Sequence, residues 1–144
     1  MKNRARTGFT LVEIMIVVVI LGILASIVVP QFTSATDEAR ENALAMNLFR
    51  VRHQLQVYKN QHNGDYPTLA DFSDQMMKAS NKTGDTAEPG TNGYPFGPYL
   101  QEIPVNPFTG GLSVGTGAVG SSDWYYDPAT GEFMANDSAE TAAF

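Results

Sequence analysis

From Phe9 to Val29 the chain is apolar all round, with Glu13 as its one charge and only Gly22 and Ser26 to loosen a run rich in valine, isoleucine and leucine. Wound as a helix, about 21 residues span roughly 31 Å, close to the hydrocarbon core of a bilayer. A soluble core helix of that length would carry a polar face. The pattern therefore predicts a membrane helix. Beyond Pro30 the pattern changes. Leu44, Leu48, Val51, Leu55 and Tyr58 recur at spacings of 4, 3, 4 and 3, with Arg40, Glu41, Arg50, Gln54 and Lys59 on other faces. Ala35, Ala39, Ala43 and Met46 add a weaker series. The prediction is one long helix from about Phe9 to about His62, bent at Pro30 where a backbone hydrogen bond is lost. Its outer half has a single sticky face that the rest of the chain must cover.

That cover is read from residues 63–144. Gly64 is expected to supply the left-handed helix cap. A short second helix is expected, capped by Thr68 and running to about Lys78, with Leu69, Phe72 and Met76 at helical spacing. Ala79 to Gly93 reads as a polar, mobile loop. Pro98, Pro104 and Pro107 make the segment from Gly97 to Phe108 extended and stiff rather than a central strand. A short strand is expected at Leu112–Val114. Two more, Asp123–Tyr126 and Glu132–Ala135, form a hairpin around Asp127–Gly131, with Trp124, Tyr126 and Phe133 laid on the helix stripe. The fold class is α+β, a long helix packed on a small antiparallel sheet. Ser138 to Phe144 reads as a frayed tail.

Charge placement refines the picture. Lys2, Arg4 and Arg6 precede the apolar run with no acid among them, so the N-terminus should stay cytoplasmic and everything past Val29 should lie outside. A secretory signal would place its cleavage site after the run; here the polar-to-apolar switch falls before it, at Gly8-Phe9. The stretch Gly8-Phe9-Thr10-Leu11-Val12-Glu13, together with the basic leader and the apolar run, resembles the type IV pilin and type II secretion pseudopilin superfamily. The proline-rich segment ending at Asn106-Pro107 and the absence of cysteine make it most similar to the major, G-type pseudopilins. The resemblance implies four parts: a leader at 1–8 that is removed, a membrane and filament-core helix at 9–29, its amphipathic continuation at 30–62, and a small globular region at 63–144. It implies cleavage between Gly8 and Phe9 by a membrane prepilin peptidase, which then N-methylates Phe9. It also implies assembly from the inner membrane into a periplasmic or cell-surface filament, with minor pseudopilins, a membrane platform and its ATPase as partners.

Glu13 is the odd residue on physical grounds, since a charge inside a bilayer costs a few kcal/mol. It is expected to pair with the free amine that cleavage would leave on Phe9, from its own or a neighbouring subunit, once helices pack together; a close opposite charge offsets burial and penalises wrong register. The alternative is that Glu13 sits a turn below the membrane surface, snorkels, and gains slightly from the helix N-terminal dipole. Calcium enters only through the resemblance, because major secretion pseudopilins bind it in an Asp/Gly-dense C-terminal loop. Asp123 and Asp127 are the weak candidates here, with Asp137 available. They are separated by strands, so Asp127 as turn-former and Asp123 as strand-end cap are the preferred readings.

Removing the leader takes three of nine basic residues and leaves six against fifteen acids, which argues against direct nucleic-acid binding. His53 and His62 are nine apart, no metal spacing, and read as solvated surface residues. No nucleophile–base constellation or glycine-rich phosphate loop is present. The sequence predicts a structural subunit rather than an enzyme, and the resemblance implies that it serves type II secretion. The alternative is a type IV pilin for adhesion, motility or DNA uptake.

Overall fold

The computed structural model describes residues 8–144, apart from the side chains of residues 30–34. The leader cations Lys2, Arg4 and Arg6 lie outside the described residues. Helix α1 spans Leu11–Gln61 and runs through Pro30 as helix; the bend expected there falls among residues whose side chains are outside the description. The chain forms two compact units, Met1–Ala39 and Arg40–Phe144.

In the first unit the segment Leu11–Val29 has a mean hydropathy of 3.0 and none of it is buried. The Ser26 hydroxyl donates to the Ile23 carbonyl at 2.7 Å, so its one strong donor is satisfied within the helix.

In the second unit the stripe Leu44, Leu48, Val51, Leu55 and Tyr58 is fully buried, as the 3.6-residue period requires. Helix α1 closes in a Schellman arrangement, the Gly64 N–H reaching the Lys59 carbonyl at 3.0 Å. The left-handed position after the helix is Asn63 (φ 59°), with Gly64 (φ 95°) following, so the expected glycine cap is shared with an asparagine that tolerates this region. Helix α2 is Phe72–Met77, shorter than expected. Thr68 instead organises the turn before it, its Oγ accepting from the Asp71 N–H at 3.1 Å.

The stretch read as a loop contains a small antiparallel ladder, β1 (Ala79–Ser80) with β2 (Thr86–Ala87). Between them the Asn81 side chain accepts from the Thr83 and Asp85 backbone N–H groups, an Asx-type turn. Gln75 secures this region from below, donating to the Gly84 carbonyl and accepting from the Thr68 N–H. The proline-rich segment is extended and forms no named strand; its Gly97–Pro98 bond is cis.

Strand β3 (Val114–Gly115) lies parallel to β4 (Trp124–Asp127), which pairs antiparallel with β5 (Glu132–Ala135) in the expected hairpin. Alternation along β4 and β5 sends Trp124, Tyr126, Phe133 and Ala135 into the core. There Phe72 meets Tyr126 at 4.5 Å between ring centroids, and Trp124 stacks on Phe133 at 5.2 Å. Two core phenol and indole groups find carbonyls: Trp124 Nε1 donates to Pro104 at 2.8 Å, and Tyr126 Oη donates to Pro67 at 2.7 Å. The tail read as frayed is instead held down. A 3-10 turn spans Thr141–Ala143, Thr141 is buried, and Arg52 bridges the carbonyls of Phe133 and Phe144.

Candidate functional site

The site begins where regular structure begins. Gly8, Phe9 and Thr10 are exposed and non-helical, and α1 starts one residue later. The Thr10 hydroxyl accepts from the Glu13 N–H at 3.2 Å, and the Glu13 carboxylate reaches back to the Thr10 N–H at 3.4 Å. This reciprocal pair is a capping box, which satisfies two donors that a helix start otherwise leaves unpaired. The Ile14 N–H then bonds the Thr10 carbonyl and opens the helical ladder. Glu13 thus sits in the first turn, where the helix dipole favours an anion. The signal for this was present in the sequence as Thr10-x-x-Glu13 before an apolar run, and Thr10 is the residue that the sequence reading passed over.

Phe9 is 78% exposed, and a Cβ built on Gly8 would meet nothing within 4 Å. The fold therefore makes no steric demand for glycine at position 8. From Leu11 to Val29 the helix offers an apolar surface on all sides, with no part of the described chain covering it.

The C-terminal carboxylates have local partners. Asp123 accepts from the Ser113 hydroxyl and from its N–H at 2.9 Å, and these bonds hold its carboxyl below the usual carboxylate range. At the entry to β4 it ties the residue before β3 to the start of β4. Asp127 accepts from the Ala129 N–H and the Thr130 hydroxyl, which likewise lower its pKa and build the hairpin turn. The two lie at opposite ends of β4 and are not brought together. Asp137 takes a hydrogen bond from Asn106, a fully buried residue that also donates to the Asp123 carbonyl and accepts from the Phe108 N–H. Among the described residues no group of three or more metal-ligating side chains forms.

His53 is exposed, as expected, but His62 is not. It is 2% exposed and stacks on Tyr58 at 3.6 Å, with Nδ1 on the Tyr58 carbonyl and Nε2 on the Ser80 hydroxyl. The reading as a surface residue fails because Ser80 and Phe96 fold over the helix end, and no spacing rule reveals that cover in advance.

Comparison with known proteins agrees with this geometry. Residues 3–29 match the family model for the prokaryotic N-terminal methylation motif. The chain is 36% identical over 108 residues to the type II secretion system core protein G of Aeromonas hydrophila, covering 75% of this chain and 71% of that one. It is 37% identical over 101 residues to the core protein G of Klebsiella pneumoniae (70% and 68% covered) and 36% identical over 108 residues to that of Pseudomonas aeruginosa (75% and 72%). No solved structure gives a significant match. With an N-terminal methylation motif, an uncovered apolar helix and this identity over most of its length, the chain belongs to the type II secretion system core protein G family of pseudopilins.

Proposed function

We propose that this chain is a structural, non-catalytic subunit of the pseudopilus in type II protein secretion. The observation that carries the proposal is a membrane-length apolar helix with no polar face and no cover, opened by a capping box directly after Gly8-Phe9. In the inner membrane the run is the anchor, with the N-terminus cytoplasmic and the globular region periplasmic. In the filament neighbouring helices replace lipid around it, an exchange of one apolar surrounding for another.

Residues 1–8 are removed by cleavage between Gly8 and Phe9, and Phe9 becomes the methylated N-terminus. The open space around Gly8 supports this, since the need for glycine then lies with the peptidase that must approach the backbone. Cleavage creates an amine one residue from the N–H that Glu13 holds. Glu13 then pairs with that amine, in its own or a neighbouring subunit, and fixes axial register. Minor pseudopilins, the assembly platform and its ATPase are the further partners. Asp123 and Asp127 serve loop and turn, and calcium is not part of the proposal.

The test is deletion of the gene, with exported proteins in the medium compared against surface filaments. Exported enzymes retained in the periplasm support the secretion role. Normal export with missing filaments, motility or DNA uptake transfers the protein to the type IV pilins. Mass spectrometry of the mature N-terminus reads the processing step independently.

A further inference from the structure

We propose that, within the Arg40–Phe144 unit, the outward face of α1 around Phe49 docks a second copy of this chain head to tail, receiving that copy's exposed loop at Phe108 and Leu112. This deepens the filament reading and rests on it for the presence of many copies in one membrane.

The first surface is a pair of large apolar side chains on a helix face that would otherwise be polar. Counting 100° per residue, Met46, Phe49 and His53 lie opposite the buried stripe. Met46 and Phe49 are each 74% exposed, and the Phe49 ring lies on His53 at 6.4 Å. Beside them a groove of about 990 Å³ runs between α1 and β5, with Phe49, Arg52, His53 and Phe133 in its walls. The second surface is the loop carrying Val105, Phe108 and Leu112, which expose 49%, 36% and 55% of their area. It lies on a different flank of α1, where Asn47 Nδ2 donates to the Val105 carbonyl at 3.2 Å. Asn47 points about 100° away from Met46 and about 160° from Phe49 on the helical wheel. Each copy therefore offers two apolar patches that face different ways.

Charge selects how they pair. From Arg40 to His62 the helix carries Arg40, Arg50, Arg52 and Lys59 against Glu41 alone. From Asn63 onward Lys78 and Lys82 are outnumbered by the acids between Asp65 and Glu140. Arg50, beside Met46 and Phe49, makes no hydrogen bond or ion pair among the described residues, and neither does Glu102, close to Val105 on the loop segment. Two helix faces brought together would repel, as would two loop sides; helix face against loop side is attractive. Such a contact joins unlike surfaces, so it propagates from copy to copy instead of closing as a two-fold dimer.

The chain has no cysteine, so introduced thiols report without background. Full-length Phe49→Cys and Leu112→Cys copies are co-expressed with the native assembly machinery and treated with a short bis-maleimide. The expected result is cross-linked dimers only in the mixed cells and a ladder of multimers when both substitutions share one chain. Adding Arg50→Glu to the Phe49→Cys copy is expected to lower the dimer yield by about tenfold. Absence of dimers in the mixed cells, or dimers of equal yield from Phe49→Cys alone, overturns the contact. Electron microscopy of the same cells keeps the two readings apart. Filaments without cross-links overturn this contact and leave the filament intact; cross-links without filaments uphold the contact and overturn the filament.

Discussion

Tyr126→Phe removes one oxygen and nothing else, which makes it the sharpest probe of how the globular unit holds together. Tyr126 is fully buried on β4 and donates to the Pro67 carbonyl at 2.7 Å, tying the hairpin to the turn that follows α1. Without the hydroxyl, the buried Pro67 carbonyl loses its donor, at a cost of about 1–3 kcal/mol. In a unit of about 100 residues each kcal/mol lowers the melting temperature by roughly 4–8 °C. The assay is urea and thermal unfolding of the full chain in mild detergent, followed by the fluorescence of Trp124, the single tryptophan. A second signature reports the burial of the phenol itself. Burial pushes the Tyr126 phenol well above its ordinary value, so its stabilising contribution is complete below about pH 10 and is lost as pH rises toward the folded value. The phenylalanine variant lacks this loss. The gap between the two proteins should therefore narrow above pH 10 by up to about 1.4 kcal/mol per pH unit. A penalty under about 0.5 kcal/mol at neutral pH, or a gap that stays constant from pH 9 to 11, refutes the reasoning.

Three further outcomes are expected. Glu13→Gln keeps an acceptor for the Thr10 N–H but no charge, so it should fold and be processed normally yet fail to form filaments, as should Glu13→Ala; filaments from either variant, seen by microscopy, would refute the charge pairing. Asn106→Ala leaves the Asp123 carbonyl, Asp137 and the Phe108 N–H without their partner and should cost about 2–4 kcal/mol in the same unfolding assay. Asp123→Asn should cost a few tenths to about 1 kcal/mol near pH 7, the modest value fitting its exposure to solvent. Because the folded carboxyl titrates below the unfolded value of about 3.9, that penalty should fade as pH drops below 4, which acid unfolding curves of both proteins would show.

The parts of the fold that were legible in sequence are those governed by periodicity. Leu44 to Tyr58 declared the buried stripe, and Trp124, Tyr126 and Phe133 declared their face, because side-chain direction follows directly from a 3.6- or 2-residue repeat. Contacts between residues far apart in the chain carry no such repeat. The burial of His62 beneath Ser80 and Phe96, the anchoring of the tail by Arg52, and the Asn106 junction joining residues 123 and 137 were invisible for that reason. The parallel entry of β3 beside β4 belongs with them, since Val114 and Gly115 are too few to show a pattern. At the candidate site the order is reversed. Gly8, Phe9 and Glu13 stood out as a motif, while the structure contributed Thr10 and its exchange of hydrogen bonds with Glu13.

The buried apolar core begins at Leu44 and ends at Ala135, and no described residue of Leu11–Val29 takes part in it. The core of the Arg40–Phe144 unit therefore draws on none of the apolar side chains of that run. On the proposed reading, what surrounds the apolar run can change without touching the side chains that hold the core of the Arg40–Phe144 unit together.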